Sequence, residues 1–81
     1  MSSNLTLLFQ YEGNPISMQC KNDEILSDVY RRFCSKVGKD PKICKFYFNS
    51  KEVPPCNKKL ENLGLKNLFT FNVVLTDVIG A

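Results

Sequence analysis

The chain has 81 residues, of which 43% are hydrophobic and 23% charged, and its net charge at pH 7 is +3. One modest hydrophobic core is the most that this length supports. No apolar run approaches a membrane span of about 18 residues, and the N-terminus lacks the form of a secretory signal. We therefore expect a single domain over residues 1–81, without a membrane segment, in the cytoplasm, the nucleus or both.

The first predicted elements are two strands of a β-hairpin. Apolar and polar side chains alternate through residues 5–10 and again through residues 16–21, which is the period of a half-buried strand. Gly13 and Asn14 between them tolerate positive φ, and Pro15 is expected to end strand pairing.

A single helix is predicted over residues 24–37. Asn22 or Asp23 is the expected N-cap, because a side-chain oxygen there accepts from an otherwise unpaired amide. Gly38 supplies the left-handed residue that ends many helices, and Pro41 cannot continue the helix. The apolar residues recur at spacings of three and four and form one stripe: Leu26, Val29, Tyr30, Phe33 and Val37.

The second half of the chain predicts three strands and a short helical turn. The order is a strand over 43–48, a turn at Asn49–Ser50, a brief strand over 51–53, a helical turn within 60–65 and a last strand over 69–75. We expect Phe33, Phe46, Phe48 and Leu65 to be buried between the helix and the sheet. Hydrophobic periodicity is weak beyond about residue 75, so an ordered core over about 4–75 and a flexible tail over 76–81 are expected.

The cysteines and carboxylates form no recognisable reactive site. Cys20, Cys34, Cys44 and Cys56 make no C-x-x-C pair, and the chain has no histidine, so neither a common zinc site nor a Cys–His nucleophile is predicted. Glycine-rich phosphate loops and the G-x-S-x-G motif are also missing from the sequence. We therefore expect a non-enzymatic protein with four free thiols and no metal or other cofactor.

Positive charge is concentrated in residues 31–45. Two interpretations stay open: a solvated surface of the helix and the loop after it, or a docking surface for an acidic partner. No nucleic-acid-binding motif accompanies the charge, so nucleic acid is not an expected partner. The charged residues of this basic segment are Arg31, Arg32, Lys36, Lys39, Lys42 and Lys45, with Asp40 as the one acidic residue.

The order of these elements from Leu5 to Gly80 resembles that of ubiquitin and SUMO. Leu26, Val29 and Phe33 fall where the helix of that family faces its sheet. The resemblance implies an α+β fold, the ubiquitin-like β-grasp. Its mixed sheet of about five strands packs on one α-helix in the order β-β-α-β-β-short helix-β. The residues at the family's other core positions are Phe46, Phe48, Val53, Leu60, Leu65, Phe71 and Val73.

The resemblance also implies a protein that acts by being bound or attached. We expect a monomeric, non-catalytic interaction module, whose partners are other proteins such as ubiquitin-like receptors. The alternative is a modifier that conjugation machinery attaches through Gly80 after removal of Ala81. Family modifiers usually end in Gly-Gly, whereas Ile79 precedes Gly80 here. A third interpretation is another β-grasp binder, such as a Ras-binding domain.

A partner-binding surface is predicted on the sheet face opposite the helix. The alternation places Leu8, Tyr47 and Val74 on that face of three neighbouring strands, where they are expected to form one apolar patch with a polar border. Scattered surface hydrophobic residues are normal, but three on one face around a tyrosine favour a recognition site. Tyr47 and Val74 also align with ubiquitin's recognition patch. The predicted site consists of Leu8, Lys45, Tyr47, Lys51, Asn72 and Val74.

Overall fold

Five strands, one α-helix and two 3₁₀ turns make up residues 3–76, the part of the chain that the computed structural model describes. The elements are β1 (Asn4–Tyr11), β2 (Asn14–Lys21), α1 (Leu26–Val37), a 3₁₀ turn (Pro41–Ile43), β3 (Cys44–Phe48), β4 (Lys51–Glu52), a second 3₁₀ turn (Leu60–Leu63) and β5 (Thr70–Leu75). Within this range no helix has the length and apolar composition needed to cross a membrane. Residues 77–81 of the predicted tail lie outside the described range.

The sheet is mixed, as the α+β prediction required. Its strand order is β2-β1-β5-β3-β4, so β5 lies at the centre between β1 and β3. β1 runs parallel to β5, and every other neighbouring pair is antiparallel. β5 therefore joins the two hairpins into one sheet. Thr76, the first residue of the predicted tail, extends this pairing by donating its backbone N–H to the Ile43 carbonyl at 2.7 Å.

The β1–β2 hairpin is tighter than predicted. Tyr11 pairs with Asn14, so only Glu12 and Gly13 form the turn, with φ of 49° and 81°. Two positive φ angles are the turn geometry that matches the twist of the flanking strands. The prediction that Pro15 ends pairing was wrong, because this residue lies within β2 opposite Gln10. β2 is an edge strand, and proline is tolerated where its nitrogen faces the open edge.

The helix begins without the predicted side-chain cap. Its N-cap is Ile25, not Asn22 or Asp23, and no side chain caps it. The first amide groups of the helix instead donate to a loop later in the chain, Leu26 to the Lys58 carbonyl and Ser27 to the Cys56 carbonyl, both at 3.1 Å. At the other end Gly38 stops the helix as predicted, with φ of 71°.

The core is a cluster of aromatic rings between α1 and the sheet. Phe9 of β1 lies at its centre and is fully buried. Its ring stacks on Phe33 of the helix at a centroid distance of 4.6 Å and on Phe71 of β5 at 5.5 Å. One side chain thus connects the helix to two strands of the sheet.

Two of the four side chains predicted to be buried lie at the margin of this core. Phe33 and Phe46 are fully enclosed, whereas Phe48 and Leu65 are only half-buried. Phe48 is the last residue of β3 and stacks on the half-buried Phe69 at 4.8 Å. Its ring therefore closes the end of the core and stays in part accessible to water.

Phe46→Ala and Phe48→Ala make the same change on the same face of β3, at sites that differ in burial. We expect Phe46→Ala to lower the free energy of unfolding by about 3–5 kcal/mol, because it leaves a cavity in the closed part of the core. Phe48→Ala should cost less, since part of that ring is already hydrated. Urea unfolding followed by circular dichroism measures both losses, and equal losses would contradict the difference in burial.

Candidate protein-binding surface

The candidate surface is the outer face of the sheet, the face that points away from α1. Along β1, β3 and β5 every second side chain is in the core or packs against it, and the side chains between them form the outer face. Leu8 and Tyr47 on this face are half-buried, and Val74 is 46% exposed. The structure therefore presents a leucine, a tyrosine and a valine to solvent on the same side of three neighbouring strands.

The strand register divides these three side chains into two areas. Across β3 and β5, Tyr47 and Val74 are diagonal neighbours, a spacing within reach of an aromatic ring. Leu8 lies on the far side of β5, with the polar Thr70 and Asn72 in between. Asn72 was expected at the border of the face. The register places it in the middle instead. The paired residues across β5 are Leu8 with Thr70, Tyr47 with Asn72, and Lys45 with Val74.

Lys51 was expected to border the patch, and the register assigns it to the opposite face. The two-residue turn pairs Phe48 with Lys51 and Tyr47 with Glu52, and directly opposite residues point to the same side of a sheet. Lys51 thus shares the face of Phe48, which packs on Phe71 of the core. Glu52 is the charged residue beside Tyr47, so the border has a carboxylate here and Lys45 beside Val74.

Leu68 adds an exposed apolar side chain that the sequence analysis missed. It is 60% exposed, and its φ of 66° lies in the left-handed region. Its backbone N–H donates to the Thr6 carbonyl at 2.6 Å, and the neighbouring Asn67 side chain accepts from the Thr6 N–H at 2.6 Å. These bonds hold Leu68 beside β1, near the end of the face where Leu8 lies. No local sequence signal indicated this backbone conformation, because leucine adopts it at a cost of about 1–2 kcal/mol.

Three of the four thiols in the described part of the chain are buried. Cys20, Cys34 and Cys44 are buried, and Cys56 is half-buried. Burial, followed by the neighbouring Cys44 thiol, raises the pKa of Cys34 from 9.0 to about 12. Since the thiolate is the nucleophilic form, Cys34 is inert at neutral pH. Within residues 3–76, no three cysteine or acidic side chains are grouped so that they would hold a metal ion.

The architecture matches solved structures of ubiquitin-like proteins. Ubiquitin from Caldiarchaeum subterraneum superimposes with a TM-score of 0.81 at 15% sequence identity, covering 96% of this chain and 100% of that chain. A ubiquitin-like domain from an Arabidopsis thaliana protein gives a TM-score of 0.80 at 12% identity, covering 93% of this chain and 80% of that one. No protein-family model and no curated protein sequence matches the chain. The chain thus has a ubiquitin-like β-grasp fold, and the predicted resemblance is confirmed at the level of fold.

The raised pKa of Cys34 predicts alkaline sensitivity. The unfolded chain releases this proton near pH 9.0, and the folded protein releases it only at about pH 12. The contribution to stability is therefore fully present below pH 9.0 and is lost as the pH rises towards about 12. In denaturant titrations over this range, Cys34→Ala should reduce the slope of unfolding free energy against pH. Tyr30 and Cys20, whose pKa values burial also raises, should preserve part of that slope. Identical slopes for parent and variant would contradict the prediction.

Proposed function

We propose that this protein is a non-catalytic ubiquitin-like interaction module that binds partner proteins through the outer face of its sheet. The observation that supports this function best is the position of the half-buried Tyr47 and the exposed Val74 as diagonal neighbours on the outer face. Tyrosine is enriched at protein interfaces, because it buries a large area while few rotatable bonds are immobilised. A preformed sheet adds little further ordering cost to binding.

The charges around the two apolar residues define the partner more closely. Lys45 lies opposite Val74 and Glu52 lies opposite Tyr47, so the border is positive at one end and negative at the other. A complementary partner presents an apolar side chain to Tyr47 and Val74, with an acidic group towards Lys45 and a basic group towards Glu52. Such charges contribute to orientation and to the association rate more than to affinity.

Tyr47→Ala tests this proposal directly. We expect the variant to keep its fold, because the ring is on the outer face, and to lose about 1–2 kcal/mol of binding free energy for partners, as truncation of an interface tyrosine does. The measurement is a quantitative pull-down from an extract of the source cells, with circular dichroism as the check on folding.

Lys51→Ala is the matched control, because Lys51 lies in the same hairpin and belongs to the other face of the sheet. It should capture the same partners as the parent. If Tyr47→Ala also retains every partner at parental levels, the outer face is not the binding surface. Loss of partners only in the Lys51 variant would place the interface on the opposite side of β4.

A second candidate function is that of a modifier conjugated through Gly80 after removal of Ala81. The ubiquitin-like fold and a glycine five residues after the end of β5 support it; Gly80 itself lies outside the described residues. Incubation with ATP and an extract of the source cells should then produce higher-mass adducts, and Gly80→Ala should abolish them. Adducts that persist in the variant would exclude Gly80 as the attachment point.

A further inference from the structure

A small pocket opens between α1 and β3, on the helix side of the sheet. Its volume is about 200 Å³, and an apolar cavity of about 150 Å³ is large enough for benzene, so the pocket has room for one aliphatic or aromatic side chain. The buried residues Tyr30, Cys44 and Phe46 form its floor. Two exposed prolines, Pro41 and Pro55, form its walls.

The pocket exists because the sheet is incomplete at this edge. β4 pairs only with Tyr47 and Phe48, so among the described residues no strand lies beside Cys44 and Lys45 on that side. The small side chain of Cys44 leaves space that a larger residue would fill. The pocket consequently opens beside Cys44, the first residue of β3, above a floor that the neighbouring residues still largely cover.

Stacking and hydrogen bonds hold the floor and the Pro55 side of this pocket in place. The Tyr30 ring stacks on Phe46 at 3.8 Å, and its hydroxyl donates to the Val53 carbonyl at 2.9 Å. On the side of Pro55, the Ser27 N–H donates to the Cys56 carbonyl at 3.1 Å. Because these bonds already order the residues of the site, little conformational entropy is lost when a ligand binds.

One basic side chain lies at this pocket, and two more are close to it in the sequence. Arg31 lines it directly, and the wall residue Pro41 lies within the sequence Lys39-Asp40-Pro41-Lys42, where the Asp40 carboxylate accepts from the Lys42 N–H at 2.9 Å. The guanidinium of Arg31 is 3.4 Å from Asp28 in a pair whose side chains are 70% and 56% exposed. Exposed pairs of this kind contribute little to stability, so Arg31 can exchange Asp28 for the carboxylate of a ligand.

Arg32 and Lys36 of the basic segment contact β2 and not the pocket. Arg32 bonds to the Glu24 carboxylate at 2.6 Å and to the Gln19 carbonyl of β2 at 3.3 Å. Lys36 donates to the Ser17 carbonyl, also in β2, at 3.4 Å. These two residues face the β2 side of the helix, whereas Arg31 faces β3. The positive charge of α1 is therefore divided between two sides of the helix, with Arg32 and Lys36 towards β2 and Arg31 towards β3.

We propose that the pocket between α1 and β3 is a second protein-binding site, which takes one apolar side chain from an acidic segment of a partner. The side chain enters between Pro41 and Pro55 and rests on Tyr30, Cys44 and Phe46. A carboxylate next to it in the partner pairs with Arg31, and Lys39 and Lys42 attract the remaining negative charge. The site is separate from the outer face and does not depend on its function.

The probe for this site is a short synthetic peptide of aspartate and glutamate with one central leucine. Titration into the ¹⁵N-labelled protein, followed by NMR, should shift the amide signals of Ser27, Arg31 and Cys44. Replacing the leucine of the peptide by serine should weaken binding about tenfold, since the apolar contact is lost. Replacing its acidic residues by glutamine should weaken binding to a similar degree.

Arg31→Glu and Lys36→Glu are a matched pair on the protein, because both reverse one exposed charge on the same helix. Arg31→Glu should weaken the peptide about tenfold or more, and Lys36→Glu should change its affinity much less. Tyr47→Ala should leave peptide binding unchanged, which separates this site from the outer face. The proposal is overturned if the peptide fails to bind at about 1 mM, a concentration that detects even weak complexes. It is also overturned if the shifts map to Ser17–Gln19 and only Lys36→Glu abolishes them.

Discussion

The packing of Phe9 against the helix is the interaction on which the rest of this structure depends. Its ring lies between Phe33 of α1 and Phe71 of β5, and it meets Phe46 of β3 edge-on at 5.7 Å. Strand side chains alternate between faces, so turning Phe9 inward also turns Leu8 outward. A slip of one residue in β1 would exchange the two faces and expose the aromatic core. The outer face is thus a consequence of the core.

Patterns within one strand or helix were sufficient to predict most of the fold, whereas relations between elements were not. The alternation in residues 5–10 and the apolar stripe of α1 indicate which side chains are buried. They were therefore sufficient to predict the type of each element and the side chains that face the core. The face of Lys51 depends on the length of the turn before it. A two-residue turn pairs Tyr47 with Glu52, and one residue more or less would have reversed the assignment.

The start of α1 also depends on a contact between elements that are far apart in the sequence, which local patterns do not predict. A local cap was expected, yet the first helical amides bond to backbone carbonyls about thirty residues later, at Cys56 and Lys58. Backbone carbonyls are present at every residue, so no side chain in the sequence marks this contact. The pocket escaped prediction for a related reason, because it is formed by residues from α1, a 3₁₀ turn, β3 and the loop at Pro55.

β3 links the two proposed binding sites physically. Its inward residues Cys44 and Phe46 form part of the pocket floor, and its outward residues Lys45 and Tyr47 belong to the outer face. Side chains on opposite faces of a strand do not meet, so a ligand on one side does not block the other sterically. Coupling would require β3 to move, and the stacking of Phe46 on Tyr30 at 3.8 Å opposes such movement. In this geometry the two proposed sites can therefore be occupied independently.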